Sequence, residues 1–261
     1  MTDVRVFFFG GLTSFRALFN WLSPWIYIPS LLVAPVFQIL LFAYIGRATH
    51  LQSDEFYVVG NAIQYAAIPC VFAMCNTIVG ERYQQTLGYI LVTPARRLSL
   101  FVGRSLPVIV NGALTSAFAF VVGGAILHID VPARSAAPLA LVILLAAASC
   151  TGVGLVSAAI GFLVRETATL NNIVFGLLLV FCGVNVALDD LPGWMSTTAQ
   201  GLPLTHAIEA GRKLADGASL SDVGGLIGAE AVIGLAYGVA GYWLIRVMER
   251  QSRIHATLQR A

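Results

Sequence analysis

The sequence predicts an all-α integral membrane protein with six transmembrane helices preceded by an amphipathic interfacial helix. Of its 261 residues, 58% are hydrophobic and only 11% are charged, against roughly 25% charged in an ordinary soluble domain. The mean hydropathy is +0.83, and apolar stretches of about 20 residues, the length that crosses a bilayer, recur along the chain. The formal net charge is only +2, so the total charge says little about acidic partners, and no nucleic acid partner is expected.

Residues 1–21 are predicted to form the interfacial helix. Its apolar side chains recur at spacings of four and three residues, which places them on one helix face. They are Phe8, Leu12, Phe15, Phe19 and Leu22. Such a helix would lie along the membrane surface and bury this face among the lipid headgroups. The alternative is that the segment extends the first span, with the aromatic run 7–9 as interfacial anchors.

A single transmembrane domain is predicted over residues 1–261. As an α-helix with a rise of ~1.5 Å per residue, each of its apolar stretches can cross the ~30 Å hydrocarbon core of a bilayer. The spans are approximately 22–46, 57–79, 105–127, 136–164, 169–188 and 223–245. Small residues along the fourth span are expected to let a neighbouring helix approach closely. They are Gly152, Gly154, Ser157 and Gly161.

The arginines predict the orientation of these spans. If the loops alternate sides, 11 basic residues fall with the two termini and the second and fourth loops, and only Arg47, Arg134, Arg212 and Lys213 fall opposite. Because basic residues concentrate on the cytoplasmic side, both termini are predicted to be cytoplasmic. The chain is predicted to cross a bacterial plasma membrane several times. The bacterial origin is inferred from 14 arginines against one lysine, which is typical of a GC-rich bacterial genome.

The chain has no pattern for nucleotide hydrolysis or metal binding. A Walker A loop requires Gly-Lys-Ser/Thr, and the only lysine, Lys213, stands between Arg212 and Leu214. No catalytic residue, cofactor site or metal site is therefore expected, and any ATP chemistry must come from another chain. The four cysteines are interpreted as small buried hydrophobic residues. They are Cys70, Cys75, Cys150 and Cys182.

The segment 80–104, after the second span, predicts a short helix parallel to the membrane surface. Tyr83, Leu87 and Leu91 belong to an apolar stripe, and Pro94 forces the chain out of the helix. A surface helix of this kind could contact a soluble partner. It could equally be an ordinary interfacial helix that leads the chain back into the bilayer.

The same segment resembles the first cytoplasmic loop of permeases of the type-2 ABC exporter family. It reads E-R-x-x-x-T-L-x-x-x-L-x-T-P-x-R-R from Glu81, where family members carry a run similar to E-R-E-x-G-T-L-E-x-L-x-x-T-P. The resemblance implies a coupling helix that inserts into the ATP-binding subunit. Its residues here are Glu81, Arg82, Tyr83, Thr86, Leu87, Leu91, Thr93, Pro94 and Arg97. Tyr83 and Gln85 depart from the family pattern.

The resemblance also implies the remaining organisation. The turn at Arg165 and Glu166 would be a second cytoplasmic contact, and residues 189–222 would form re-entrant outer helices before the last span. The chain would pair with itself or with a second permease in contact with membrane lipid. The pair would bind two copies of an ABC ATP-binding subunit, which hold ATP and Mg.

Glu230 is the one acidic residue well inside a predicted span. A charge there costs several kcal/mol unless it is paired, hydrated or neutralised, so a role in the translocation path is one hypothesis. The alternative is a hydrogen-bonded glutamate that faces a neighbouring helix, with Tyr237 or a Ser or Thr as its partner. Glu209 and Arg212, three residues apart, are predicted to form a local surface pair.

The predicted function is export of an amphipathic drug or lipid-like substrate from the cytoplasm or inner leaflet, similar to daunorubicin and other antibiotic exporters. The spans carry few charges and many Phe, Leu and Val residues, which favours such a cargo over an ion. Alternatives are a polysaccharide or glycolipid exporter subunit and a proton-coupled secondary transporter that uses Glu230. A structural membrane subunit that transports nothing is a further alternative.

Overall fold

The computed structural model describes residue 25 and residues 28–83, 97–161, 164 and 166–255. All regular structure in these residues is helical, and they contain no strand, which confirms the predicted helical class. The interfacial helix 1–21 lies outside the described residues, as do residues 84–96 of the predicted coupling segment.

Nine α-helices lie in the described residues. They are α1 (Ala34–Thr49), α2 (Asp54–Gln64), α3 (Met74–Tyr83), α4 (Arg97–Leu127), α5 (Ala136–Gly161), α6 (Thr167–Phe181), α7 (Gly193–Ala199), α8 (Thr205–Ala215) and α9 (Gly224–His255). Short π-helical segments occur at Ile28–Val33 and Pro69–Ala73, and 3-10 turns occur at Ala133–Ser135 and Leu188–Asp190.

Four helical stretches of the described residues are long and apolar enough to cross a membrane. They are Asp54–Gly80, Gly103–Leu127, Ala133–Gly161 and Gly224–Met248. Two further apolar helices, α1 and α6, have 16 and 15 residues, and at ~1.5 Å per residue each is shorter than a core of ~30 Å. A total of six spans therefore stays a prediction.

The second predicted span is interrupted. α2 ends at Gln64, a turn follows at Tyr65, and the π-helical segment that begins at Pro69 leads into α3. Proline has no backbone N–H and its ring crowds the preceding turn, so Pro69 removes one helical hydrogen bond and favours a break or a kink at this position. The break lies directly after Gln64, a buried polar residue considered below.

α5 lies at the centre of the bundle and packs against α2, α3, α4, α6, α8 and α9. Its small residues make this possible, as predicted. A Cβ atom on Gly152 would stand 2.9 Å from the backbone nitrogen of Gly238 in α9, and one on Gly154 would stand 2.7 Å from the carbonyl oxygen of Cys70. These glycines therefore allow α5 to approach two neighbours backbone to backbone.

The connecting segments meet at two ends of the bundle. Residues 47–56, 127–135 and 182–223 form one end, which we call the distal end. There Arg134 Nη2 donates to the Gly217 carbonyl at 2.9 Å. The proximal end is formed by residues 77–83, 97–104, 164, 166 and 167, where Arg104 Nη1 donates to the Thr77 carbonyl at 3.0 Å. They correspond to the predicted outer and cytoplasmic sides, respectively.

α6 ends at Phe181, well before residue 188, where the predicted fifth span ends. The chain turns there because Gly183 takes a positive φ of 72°, which glycine adopts without strain. Residues 182–187 consequently cross the distal end as irregular chain, close enough to α2 and α8 to bond with both.

Candidate functional site

Several buried polar residues of the described chain lie around α8 and the helices that it contacts, among them Asn61, Thr205 and Glu230. α8 has 11 residues and buries one face, including Ile208, Gly211 and Leu214, against α2, α5 and α9. Gly211 is required for the close approach, because a Cβ there would stand 3.2 Å from Val59 Cγ1 and would overlap Ile63 Cδ1. α8 thus packs directly against α2 at Val59 and Ile63.

Glu230 of α9 binds the start of α8. Its carboxyl group is fully buried, and it accepts the Leu204 N–H at 2.9 Å and the Ala207 N–H at 3.3 Å. The first N–H groups of a helix have no partner within the helix, and the positive end of the helix dipole favours an acidic group. Glu230 therefore caps α8 from another helix through two main-chain amides, and the Ser149 hydroxyl of α5 also lies beside its carboxyl group.

Leu204 turns the chain into α8 with a backbone conformation that leucine rarely adopts. Its φ is 78° and its ψ is −29°, in the left-handed region. This region costs a residue with a Cβ roughly 1–2 kcal/mol, so surrounding contacts must hold it. Leu204 is fully buried, and the bond from its N–H to Glu230 fixes the direction of its backbone.

Arg212 holds the other end of α8. Its Nη2 donates to the carbonyl oxygens of Phe56 at 3.2 Å and Val184 at 2.8 Å, and its Cζ lies 3.4 Å from the centre of the Phe56 ring. Burial lowers the pKa of the Arg212 guanidinium to about 9, because the charged form is poorly hydrated there. Arg212 thereby joins α8 to α2 and to the chain after α6.

The predicted surface pair of Glu209 with Arg212 is wrong. Glu209 instead accepts a hydrogen bond from Lys213 Nζ at 2.8 Å, one turn along the exposed face of α8. The reason is the phase of the helix: Lys213 projects into solvent beside Glu209, whereas Arg212 turns inward to the carbonyl groups.

A chain of side-chain amides links α1, α2 and residues 182–187. Gln38 Nε2 donates to Asn61 Oδ1 at 2.8 Å and to Gln64 Oε1 at 3.1 Å. Asn61 Nδ2 donates in turn to Asn185 Oδ1 at 2.8 Å. Asn61 and Gln64 are fully buried, and Gln64 Nε2 has no partner among the described residues. We call these four residues the amide cluster.

The predicted coupling residues are only partly described. Glu81, Arg82 and Tyr83 form the last turn of α3, and Arg97 begins α4. Five others lie outside the described residues: Thr86, Leu87, Leu91, Thr93 and Pro94. At the second predicted contact, Arg165 is outside the described residues and Glu166 is exposed directly before α6. The coupling roles of all these residues stay predictions.

Arg212 and the amide cluster were missed as site residues in the sequence. Asn61 and Gln64 stand three residues apart in an apolar stretch, on one face of a helix, and this spacing was a usable signal. No local pattern distinguishes Arg212 from the adjacent Lys213. The part of the chain that the structure describes contains no group of three or more His, Cys, Asp or Glu side chains that could hold a metal ion.

The family model of the ABC-2 type transporter matches residues 12–215. The match covers most of the chain, which therefore belongs to this family of transporter membrane domains. A search of curated proteins finds no match. The chain is accordingly a multi-pass membrane protein that carries the membrane domain of a transporter.

Proposed function

We propose that the protein is the permease subunit of an ATP-driven exporter and that a separate ABC ATP-binding subunit supplies the energy. Membership of the ABC-2 type transporter family carries this proposal. Members generally work with an ATP-binding subunit, and this chain lacks the lysine pattern that nucleotide binding requires. Two ATPase copies would hold ATP and Mg and would bind a homodimer or heterodimer of permeases in a bacterial plasma membrane, with both termini cytoplasmic.

Energy would enter at the proximal end. Closure of the ATPase pair would move residues 80–104, and α3 and α4, which flank this segment, would carry the movement into the bundle. α3 packs directly against α4 and the central α5. Coupling requires contacts that differ between two states of the transporter, and the motif from Glu81 to Arg97 is the region where we expect them.

The proposed cargo is an amphipathic drug or lipid-like molecule. Apolar side chains cover the exposed surfaces of the spans, for example Leu114 and Val121 on α4 and Leu235 and Val239 on α9. Apart from Glu230, the buried polar residues near the distal end and α8 are uncharged; they are Asn61, Gln64, Ser135 and Thr205. Such surroundings favour molecules with large apolar area and a few hydrogen-bonding groups over ions or long polysaccharides.

Affinity purification from gently extracted membranes tests the partner. Wild type should co-purify an ATPase, and the Glu81→Ala/Leu87→Asp variant should lose it. The matched control Glu209→Ala/Leu220→Asp makes the same changes at exposed positions of the distal end and should retain the ATPase. If wild type yields no ATPase even after cross-linking in the membrane, the exporter proposal fails.

A proton-coupled carrier that uses Glu230 makes the opposite prediction. Transport would survive ATP depletion while a proton gradient persists, and Glu230→Gln would abolish it. The exporter requires ATP, and Glu230→Gln would weaken transport only through the position of α8. Two main-chain donors already engage the Glu230 carboxyl group, which supports the anchoring role.

A further inference from the structure

The two ends of α8 are held by contacts of unequal strength. At its start, the fully buried Glu230 carboxyl group accepts two N–H groups, and the strained Leu204 backbone is fitted to that arrangement. Breaking these bonds would leave two main-chain donors and one acid without partners in the interior. This end of α8 is therefore the one that resists movement.

At the other end, the Glu209 carboxylate attracts the Arg212 charge but bonds to Lys213, and the groups hydrogen-bonded to Arg212 are neutral. Its partners are two carbonyl oxygens and an aromatic ring, and its buried Nε has no partner among the described residues. Arg212 is also partly exposed at the edge of the distal surface. A guanidinium that leaves this position regains hydration, which offsets the hydrogen bonds that it loses.

The contact between α8 and α2, which lies between these two ends, can open and close again. Gly211 presents no side chain to Val59 and Ile63 of α2, so α8 can leave α2 without disengaging an interlocked side chain at that point. Gly60 of α2 is equally constrained, because a Cβ there would stand 2.7 Å from Arg212 Nη2. Both glycines therefore allow α8 to pack closely against α2, the arrangement that we call the closed position.

We propose that α8 swings away from α2 about the turn at Leu204 during transport, with Glu230 as the fixed anchor and Arg212 as the releasable catch. The swing would separate α8 from α2 and from the chain after α6, which Arg212 now joins. The movement rests on the proposed function, because ATP hydrolysis by the partner subunit would drive it. Glu230 and Arg212 are positioning residues in this scheme.

Labelling of introduced cysteines in the purified full-length permease tests the hinge without any ATPase. Val59→Cys lies beneath the Arg212 half of α8, and Ala207→Cys lies beside the Glu230 anchor; both native residues are buried. The probe is a polar maleimide. Each cysteine is compared in three backgrounds: native, Arg212→Met, and the matched control Lys213→Met, which removes the adjacent exposed cation. Arg212→Lys, which retains a charge, provides the conservative variant.

The hinge predicts different results at the two positions. Arg212→Met should raise the labelling rate of Val59→Cys by on the order of tenfold, since one hydrogen bond from a charged donor is worth at least that factor. Ala207→Cys should stay protected, Lys213→Met should change neither rate, and Arg212→Lys should restore part of the protection. Faster labelling at both positions would mean that α8 detaches as a whole, and no change at either would mean that Arg212 is not a catch. Each of these two results overturns the proposal.

A disulfide tests whether the swing belongs to the transport cycle. A Cβ at residue 211 would stand 3.2 Å from the present position of Val59 Cγ1, which suits a disulfide in Val59→Cys/Gly211→Cys. The variant also carries Ile63→Val, which removes the Cδ1 atom that the new Cβ would overlap. In the complex with its ATPase, cross-linking should be fast without nucleotide and severalfold slower in at least one trapped state, with MgATP and vanadate or with ADP. Each single-cysteine variant is the control.

The outcomes separate this inference from the proposed function. If an active ATPase co-purifies but cross-linking is equally fast in every nucleotide state, the swing is wrong and the exporter proposal stands. If no ATPase co-purifies, the exporter proposal fails, and the labelling rates at residues 59 and 207 alone decide whether α8 has a hinge and a catch.

Discussion

The Glu230 carboxyl group and the backbone N–H of Leu204 are joined by a 2.9 Å hydrogen bond in the protein interior. This bond connects the long helix α9 to the only short helix that packs against α2, α5 and α9 among the described residues. Burying an acid within an apolar span costs free energy, but here the first N–H groups of a helix, which have no partner within that helix, satisfy it. One interaction thus stabilises both the acid and the fold of residues 204–215.

The first prediction concerns stability at this bond. Glu230→Ala removes the acceptor and leaves the Leu204 and Ala207 N–H groups unpaired, at roughly 1–3 kcal/mol each. We expect the melting temperature in detergent to fall by about 5–10 °C. Glu230→Gln retains one acceptor oxygen, so its melting temperature should fall by less. A thiol-reactive fluorophore can follow unfolding, because the four native cysteines are free and buried.

Glu209→Ala is the matched control for that measurement. Glu209 makes an exposed pair with Lys213, and such pairs contribute about 0–1 kcal/mol. Equal losses for Glu230→Ala and Glu209→Ala would contradict the anchoring role of Glu230.

The second prediction compares two members of the amide cluster. Asn61→Leu removes the acceptor for Gln38 and the donor for Asn185, so we expect a loss of roughly 1–3 kcal/mol. Gln64→Met also removes an acceptor for Gln38, but it deletes a buried Nε2 that has no described partner. Its cost should be about 1 kcal/mol or less, again measured by thermal unfolding in detergent. A greater loss for Gln64→Met would show that Gln64 Nε2 has a partner in the assembled transporter.

The residue pattern predicted the helical class and the close approach of α5 to its neighbours, because both depend on local composition. Apolar length predicts a helix, and Gly152 and Gly154 predict contact whichever helix lies opposite. The end of α6 was less predictable, since the apolar residues 184, 186 and 187 follow Gly183, where the chain turns. Hydropathy alone does not distinguish a span from an apolar segment that crosses the end of the bundle.

The site residues depended on tertiary contacts that local patterns do not contain. Glu230 was recognised because an acid in a span is conspicuous, but its partners are main-chain groups of residues 204 and 207, 26 and 23 positions away. Arg212 bonds to Phe56 across 156 positions. In sequence, Arg212 and Lys213 are equivalent cations beside Glu209, and only the helix phase relative to α2 separates their roles.

The third prediction uses the cysteines. Cys70, Cys75, Cys150 and Cys182 are all buried, and thiolates, not thiols, react with maleimides. In the folded protein we expect all four to react at least about tenfold more slowly than a free thiol, and all four to react fully after denaturation. Mass spectrometry of intact protein gives the number of labels. Rapid labelling of any native cysteine in the folded protein would mean that water reaches the core beside it. That cysteine would then have to be replaced before the labelling experiments on residues 59 and 207.

The last prediction concerns the contact between α5 and α9. A Cβ on Gly152 would stand 2.9 Å from the Gly238 nitrogen and 3.0 Å from the Gly234 carbonyl oxygen, and these backbone atoms cannot rotate away. Gly152→Ala should therefore force the helices apart and lower stability by about 1–3 kcal/mol. Gly176→Ala in α6 is the matched control, because nothing lies within 4 Å of its added Cβ, and alanine there should be neutral or slightly stabilising. Because α9 carries Glu230, displacement of α9 should also disturb the α8 anchor, so Gly152→Ala should increase maleimide labelling of Ala207→Cys. Unchanged labelling at residue 207, together with lowered stability, would show that α9 can shift without moving the start of α8.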